Sequence, residues 1–131
     1  MQKISSIIVE DSRLARQELK ELIKTHPEID IIGEAENVED AFKLISKLNP
    51  DLLFLDINMP TMDGFQFLDK LSNRDFAVVI TTAYNEYALK ALKHEAIDYL
   101  LKPIDSDDLK NTINKIKKHN SNNVPLSKIE E

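Results

Sequence analysis

Five times along the chain a short apolar run gives way to an amphipathic stretch, and this alternation constrains the fold more than any other feature. Residues 4–9, 29–35, 52–55, 77–80 and 97–101 have the length and composition of buried strands. Between them the apolar residues recur at helical spacing. Leu14, Leu19, Leu22 and Ile23 are expected on one face of a first helix, which Pro27 closes soon after Thr25. Asn37 is an N-cap for a second helix with Val38, Ala41, Phe42, Ile45 and Leu48 turned to the core, and Asn49-Pro50 is a turn signal. Phe67, Leu68 and Leu71 suit a third helix, Tyr87, Ala88, Ala91 and Leu92 a fourth, and Leu109, Ile113 and Ile116 a fifth. Strands that alternate with helices predict an α/β domain whose parallel sheet is covered on both faces. A length of 131 residues suits one such domain.

In sheets of this kind ligands bind outside the carboxyl ends of the strands. The polar residues that interrupt the apolar pattern fall at those ends: Glu10 and Asp11, Asp56, Thr82, and Lys102. Carboxylates gathered in one crevice repel each other, and a hard divalent cation relieves the repulsion. Mg²⁺ takes a few carboxylate oxygens, keeps several waters and commonly bridges to phosphate. A lysine ammonium and a threonine hydroxyl then complete a pocket for a phosphoryl group. A carboxylate is itself a competent phosphoryl acceptor. A carboxylate that ends the most apolar strand of the chain is a costly choice without such a task.

The segments IIVEDSRLARQEL, LLFLDINMPTMDGF, VVITTAYNEYALKAL and AIDYLLKPI resemble, in this order, the signature segments of response-regulator receiver domains of bacterial two-component systems. The resemblance covers residues 3–118 and implies a flavodoxin-like (βα)5 doubly wound sheet of order 2-1-3-4-5. It implies Asp56 as phosphoacceptor, Asp11 as a direct Mg²⁺ ligand with Mn²⁺ as a substitute, and Glu10 acting on the metal through water. Asn58 matches the position whose backbone carbonyl binds the metal and whose side chain tunes hydrolysis. Met59-Pro60 and Gly64 match the family's loop motif, and Thr82, followed by the small Ala83, matches the switch hydroxyl. Tyr99 matches the switch aromatic, Lys102 the phosphate-binding lysine, and Lys102-Pro103 the family's cis peptide.

By the same resemblance the partner is a sensor histidine kinase. The phosphorylated domain then pairs with itself through the face of the fourth helix, fifth strand and fifth helix. It acts on no separate substrate, catalysing only its own phosphorylation and dephosphorylation. The strings TTAYNEYALKAL and AIDYLLKPI are similar to receivers that precede a LytTR-type DNA-binding domain. The expected organisation is therefore a receiver over residues 1–119 and a polar tail over residues 120–131 that begins a linker to an output domain. The alternative is a stand-alone receiver acting by protein–protein contact.

Each position also has a duller explanation. Asp11 or Ser12 also serves as a helix cap. Strand alternation lets only one of Thr81 and Thr82 face the crevice. Tyr99 is otherwise plain core, and Tyr84 and Tyr87 are assigned to neither core nor partner. His26, His94 and His119 have no paired spacing and are read as surface or helix-end residues. A haloacid-dehalogenase-like phosphatase would need an aspartate where Asn58 stands. A flavodoxin-like cofactor carrier would need a glycine- and hydroxyl-rich loop where the acidic pair stands, and two glycines exclude a dinucleotide fingerprint. A receiver that no longer accepts phosphate would not need the full set of matched residues.

The net charge of −6 argues against this segment gripping nucleic acid, since neutralising phosphates takes a basic face. Lys115, Lys117 and Lys118 are read as a solvated last turn beside the helix dipole. No apolar run is long enough to cross a bilayer and the N-terminus has no signal pattern, so a cytoplasmic protein without membrane contact is expected.

Overall fold

A computed structural model describes residues 3–59, 62–71 and 75–122. The five apolar runs form strands β1 (Ile4–Val9), β2 (Ile29–Ala35), β3 (Leu52–Asp56), β4 (Ala77–Thr82) and β5 (Asp98–Leu101). The helices between them are α1 (Arg13–Ile23), α2 (Val38–Leu48), α3 (Gly64–Asp69), α4 (Ala88–Lys93) and α5 (Ser106–Asn122), with a 3-10 turn over Asn85–Tyr87. Every strand pairing is parallel and the order is β2-β1-β3-β4-β5, the flavodoxin-like order. Order reverses between β1 and β3, so a crevice opens between the strand ends that carry Glu10 and Asp56.

Side-chain alternation along the central strand splits the core in two. Leu53 and Leu55 face α2, α3 and α4, where Ala41, Ile45, Phe67, Leu68 and Ala91 are buried. Leu52 and Phe54 face α1 and α5, where Leu19, Ile23, Leu109, Ile113 and Ile116 are buried. Each fully buried leucine, isoleucine or phenylalanine among them contributes about 1.5–3 kcal/mol. The helix starts are built by side chains: Ser12 accepts the Ala15 N–H, Asn37 accepts the Asp40 N–H, and Asp63 forms a capping box with Gln66. Of the two capping candidates for α1, Ser12 is the cap.

Several expectations are corrected. Leu14 is 65 % exposed, off the core face of α1. It precedes Leu19 by five residues, which turns it about 140° from the stripe that Leu19 and Ile23 define. Leu92 is exposed and Tyr87 lies in the 3-10 turn, so α4 anchors to the core through Ala91. Leu71 lies beyond the end of α3, though still packed against the core. Helix α5 continues to Asn122, into the first residues of the segment expected as a polar tail. Pro60 lies outside the described residues.

Candidate acidic site at the carboxyl edge of the sheet

The crevice is floored by strand ends. Glu10 follows β1, and its N–H donates to the Ala35 carbonyl of β2 at 2.9 Å. Asp56 closes β3, directly opposite Thr81 of β4. Lys102 follows β5, and its N–H donates to the Thr82 carbonyl at 2.7 Å. Four chain segments far apart in sequence thus meet at one edge. Carboxylate oxygens of Glu10, Asp11 and Asp56 lie within 4.8 Å of one another, the one such acidic or metal-ligating group among the described residues. Glu10 and Asp56 are buried and Asp11 is exposed, so the cluster has a floor and an open side.

Two buried carboxylates need partners. The Lys102 ammonium ion-pairs with Glu10 and stands 3.5 Å from Asp56 Oδ1. The Asn58 N–H donates to Asp56 Oδ1 at 3.2 Å, and the Ser12 N–H donates to Glu10 Oε2 at 3.0 Å. Partial desolvation, then the neighbouring Glu10 carboxylate, push the Asp11 carboxyl above its ordinary value, while contact with Asp56 works in the opposite direction. An oxygen-only donor set with one solvent-facing side suits Mg²⁺, which keeps some of its waters.

Gly64 shows how tightly the loop returns to the site. Its N–H donates to the Ile57 carbonyl at 2.9 Å, and a Cβ there would lie 2.8 Å from Ile57 Cα and 3.1 Å from the Asp56 carbonyl oxygen. Only glycine lets α3 begin this close to the Asp56 strand end.

The remaining predicted residues divide between two regions. Thr81 and Thr82 are both buried on opposite faces of β4. Thr81 lines a small cavity with Glu10, Phe54 and Lys102. Thr82 Oγ1 accepts the Tyr84 N–H at 3.0 Å. Half-buried Tyr99 donates its hydroxyl to Asn85 Oδ1 at 3.1 Å, so both residues hold the segment between β4 and α4. The Lys102-Pro103 peptide is cis, as expected. Lys115 and Lys117 are not a free basic group: they lie 3.3 Å from Asp98 and 3.9 Å from Glu28. His94 caps α4 and reaches Asp69 at 3.2 Å, His26 faces Glu28, and His119 is exposed on α5, all away from the crevice.

One residue was not singled out in the sequence. Arg16 Nη1 donates to the Glu10 carbonyl at 2.7 Å and reaches the Asp11 carbonyl at 3.5 Å. The signal available was its spacing, a turn and a half after the acidic pair on the helix that the pair introduces.

A doubly wound five-stranded sheet with an acidic crevice at its switch point and a lysine on the neighbouring strand defines the architecture of a signalling receiver. The chain belongs to the response regulator receiver domain family, whose model matches residues 7–114. It is 42% identical over 123 residues to the sensory transduction protein LytT of Bacillus anthracis, covering 92% of this chain and 50% of that protein. It is 40% identical over 120 residues to the transcriptional regulatory protein BtsR of Salmonella typhi, covering 90% of this chain and 50% of that protein. Among solved structures it is similar to the response regulatory domain of protein mrkE from Klebsiella pneumoniae, with 37% identity and a TM-score of 0.80, covering 88% of this chain and 96% of that one. The chain spans about half the length of the curated relatives it matches. Among the described residues, no helix is long and apolar enough to cross a membrane.

Proposed function

We propose that the domain accepts a phosphoryl group on Asp56 from the phosphohistidine of a sensor kinase, in the cytoplasm, with a divalent cation bound. The observation that carries this reading is the meeting of Glu10, Asp11 and Asp56 within 4.8 Å beside the Lys102 ammonium. An Asp56 carboxylate oxygen forms the new bond to phosphorus. The bond from phosphorus to the donor breaks, and its electron pair leaves with the imidazole nitrogen. Asp11 and Asp56, with the Asn58 carbonyl, would hold Mg²⁺ or Mn²⁺, and Glu10 would act through a bound water. The ion, when bound, neutralises charge on the transferring group. In this reading Lys102 leaves Glu10 to pair with a phosphoryl oxygen, and the Thr82 hydroxyl turns to donate to another. No separate substrate is turned over.

The output follows from where those donors sit. Thr82 gives up the Tyr84 N–H when its hydroxyl turns to the phosphoryl group, and Tyr99 then moves from Asn85 into the space released. Both changes act on the segment between β4 and α4, biasing a two-state face. That face exposes Leu89, Leu92 and Leu101 on α4 and β5. A second copy of the chain covers it, through α4, β5 and α5, in the phosphorylated state. The relatives LytT and BtsR, about twice as long, support an output module beyond α5. By likeness that module is a LytTR-type DNA-binding domain, reached through the segment after α5, so the receiver itself touches no DNA. A stand-alone receiver is the second reading, favoured only by the self-contained fold.

Incubation with acetyl phosphate tests the chemistry by intact mass. One phosphoryl adduct is expected with Mg²⁺, none with chelator, and none in Asp56→Asn. A folded wild-type protein that takes no adduct from acetyl phosphate and shows no beryllofluoride-dependent change in its NMR spectrum, under saturating Mg²⁺, contradicts the proposal.

A further inference from the structure

The loop that carries the acidic pair leaves the sheet before it reaches the crevice. Pairing of β1 with β2 and β3 ends at Val9, and the last ladder-like bond is the one from the Glu10 N–H to Ala35. Past this point the orientation of two successive peptide planes decides where the Glu10 and Asp11 side chains go. The Glu10 carbonyl is gripped from α1, and the Asp11 carbonyl lies at the edge of the same reach. Arg16 Nη1 lies 2.7 Å from the Glu10 oxygen and 3.5 Å from the Asp11 oxygen. The other edge of the same guanidinium is fixed: Nε lies 3.4 Å from Glu34 Oε1 on β2, whose second oxygen takes the Lys20 ammonium at 2.8 Å. The Arg16 side chain is only 15% exposed, so this is not a freely waving surface charge.

A guanidinium offers several donors in one rigid plane, whereas an ammonium is a point charge on a flexible stem. Arg16 thus ties the second strand to the two carbonyls whose side chains line the crevice. We infer that Arg16 is a positioning residue for the cation-binding acidic pair, an inference that rests on reading the crevice as a cation and phosphoryl site. It touches neither the cation nor the phosphoryl group. It holds the Glu10 peptide plane, and more loosely that of Asp11, so that the carboxylates converge before any cation arrives. Its loss lowers cation affinity and leaves the reactivity of Asp56 at saturating cation nearly intact. A structural contribution through Glu34 alone would instead affect stability, and weakly, as exposed ion pairs do.

Direct binding of Mn²⁺, followed by loss of the free-ion electron paramagnetic resonance signal, separates these roles. Wild type, Arg16→Met, Arg16→Lys and Lys20→Met are compared, each below its own unfolding midpoint. Arg16→Met is expected to weaken Mn²⁺ binding roughly ten-fold, the scale on which partners of metal ligands act. Arg16→Lys, which keeps the charge but cannot span Glu34 and both carbonyls, weakens it too, and Lys20→Met leaves it unchanged. With acetyl phosphate, the Arg16→Met rate returns close to wild type once Mg²⁺ saturates. Unchanged Mn²⁺ affinity in Arg16→Met, or in Arg16→Lys where the methionine variant does not fold, overturns the inference. So does a loss in Lys20→Met as large as that in Arg16→Met. A wild-type protein that binds no Mn²⁺ and takes no phosphoryl group fails differently: it overturns the reading of the crevice itself.

Discussion

The chain has two glycines, and replacing each with alanine should have opposite results. At Gly64 the new Cβ would meet Ile57 Cα at 2.8 Å and Ile57 Cγ2 at 2.9 Å, about 0.6 Å inside the 3.4 Å at which ordinary contact begins. The obstacle is buried backbone, so α3 must lift or the end of β3 must shift. Overpacking of this kind costs about 3 kcal/mol at its upper range, and the helix propensity of alanine over glycine returns about 1 kcal/mol. A net loss of about 2 kcal/mol lowers the melting midpoint by roughly 6–8 °C in a domain of this size. At Gly33 the Cβ would meet only the tips of Leu44 and Leu48 at 3.4 Å, and Ile7 at 3.7 Å. Those side chains yield, and the stiffer unfolded chain favours alanine, so a change between zero and about +1 kcal/mol is expected. Thermal and urea unfolding of both variants measure the contrast. Because the Gly64 clash also presses on the Asp56 carbonyl, phosphoryl uptake should fall in that variant alone. A Gly64→Ala protein as stable as wild type, or a Gly33→Ala protein as damaged, would refute the argument from close approach.

Further consequences can be measured on the same protein. Asp56→Asn takes one negative charge out of the crowded acidic crevice, a relief set against the loss of its 3.5 Å contact with the Lys102 ammonium, so in chelator it should raise stability by about 1 kcal/mol, read by urea unfolding, and lose that advantage once Mg²⁺ is supplied. Thr112 is buried and donates to Asp98 Oδ2 at 2.6 Å; Thr112→Val should cost about 1 kcal/mol without changing cation affinity. The raised Asp11 carboxyl binds protons more readily folded than unfolded, so by itself it stabilises the fold at low pH and withdraws that stability as pH rises through the folded value. Protons therefore compete with the cation: Mn²⁺ affinity should fall on acidification at a pH above the ordinary aspartate range, and Glu10→Gln should move that fall to lower pH. Asn85→Ala frees the Tyr99 hydroxyl, and should raise the unphosphorylated dimer fraction in analytical ultracentrifugation by several-fold, since about 1 kcal/mol corresponds to a factor of about five.

The fold was legible because period and polarity agreed. Each apolar run was bounded by polar residues, and the central run, residues 52–55, is buried on both faces, as its uninterrupted apolar composition required. Leu14 misled because a leucine in an amphipathic stretch counts toward the core until its angle to Leu19 is worked out. Leu92 misled because α4 is short, and Ala91 alone supplies its buried contact. The site was legible as a set of strand ends, which topology brings together. Arg16 was not, because its bonds are to backbone carbonyls, and a carbonyl leaves no mark in the sequence. The Asn85 contact to Tyr99 is similarly silent, joining a turn to a strand through two uncharged groups.

The central claim is that Asp56 carries the phosphoryl group. Borohydride reduces an acyl phosphate to an alcohol, so treatment of the acetyl phosphate-charged protein, followed by proteolysis and mass spectrometry, reads the site directly. The account predicts homoserine in place of aspartate at position 56 alone, dependent on Mg²⁺. Reduction at Asp11, at Glu10 or at no position, in protein already shown by intact mass to carry the adduct, would contradict it.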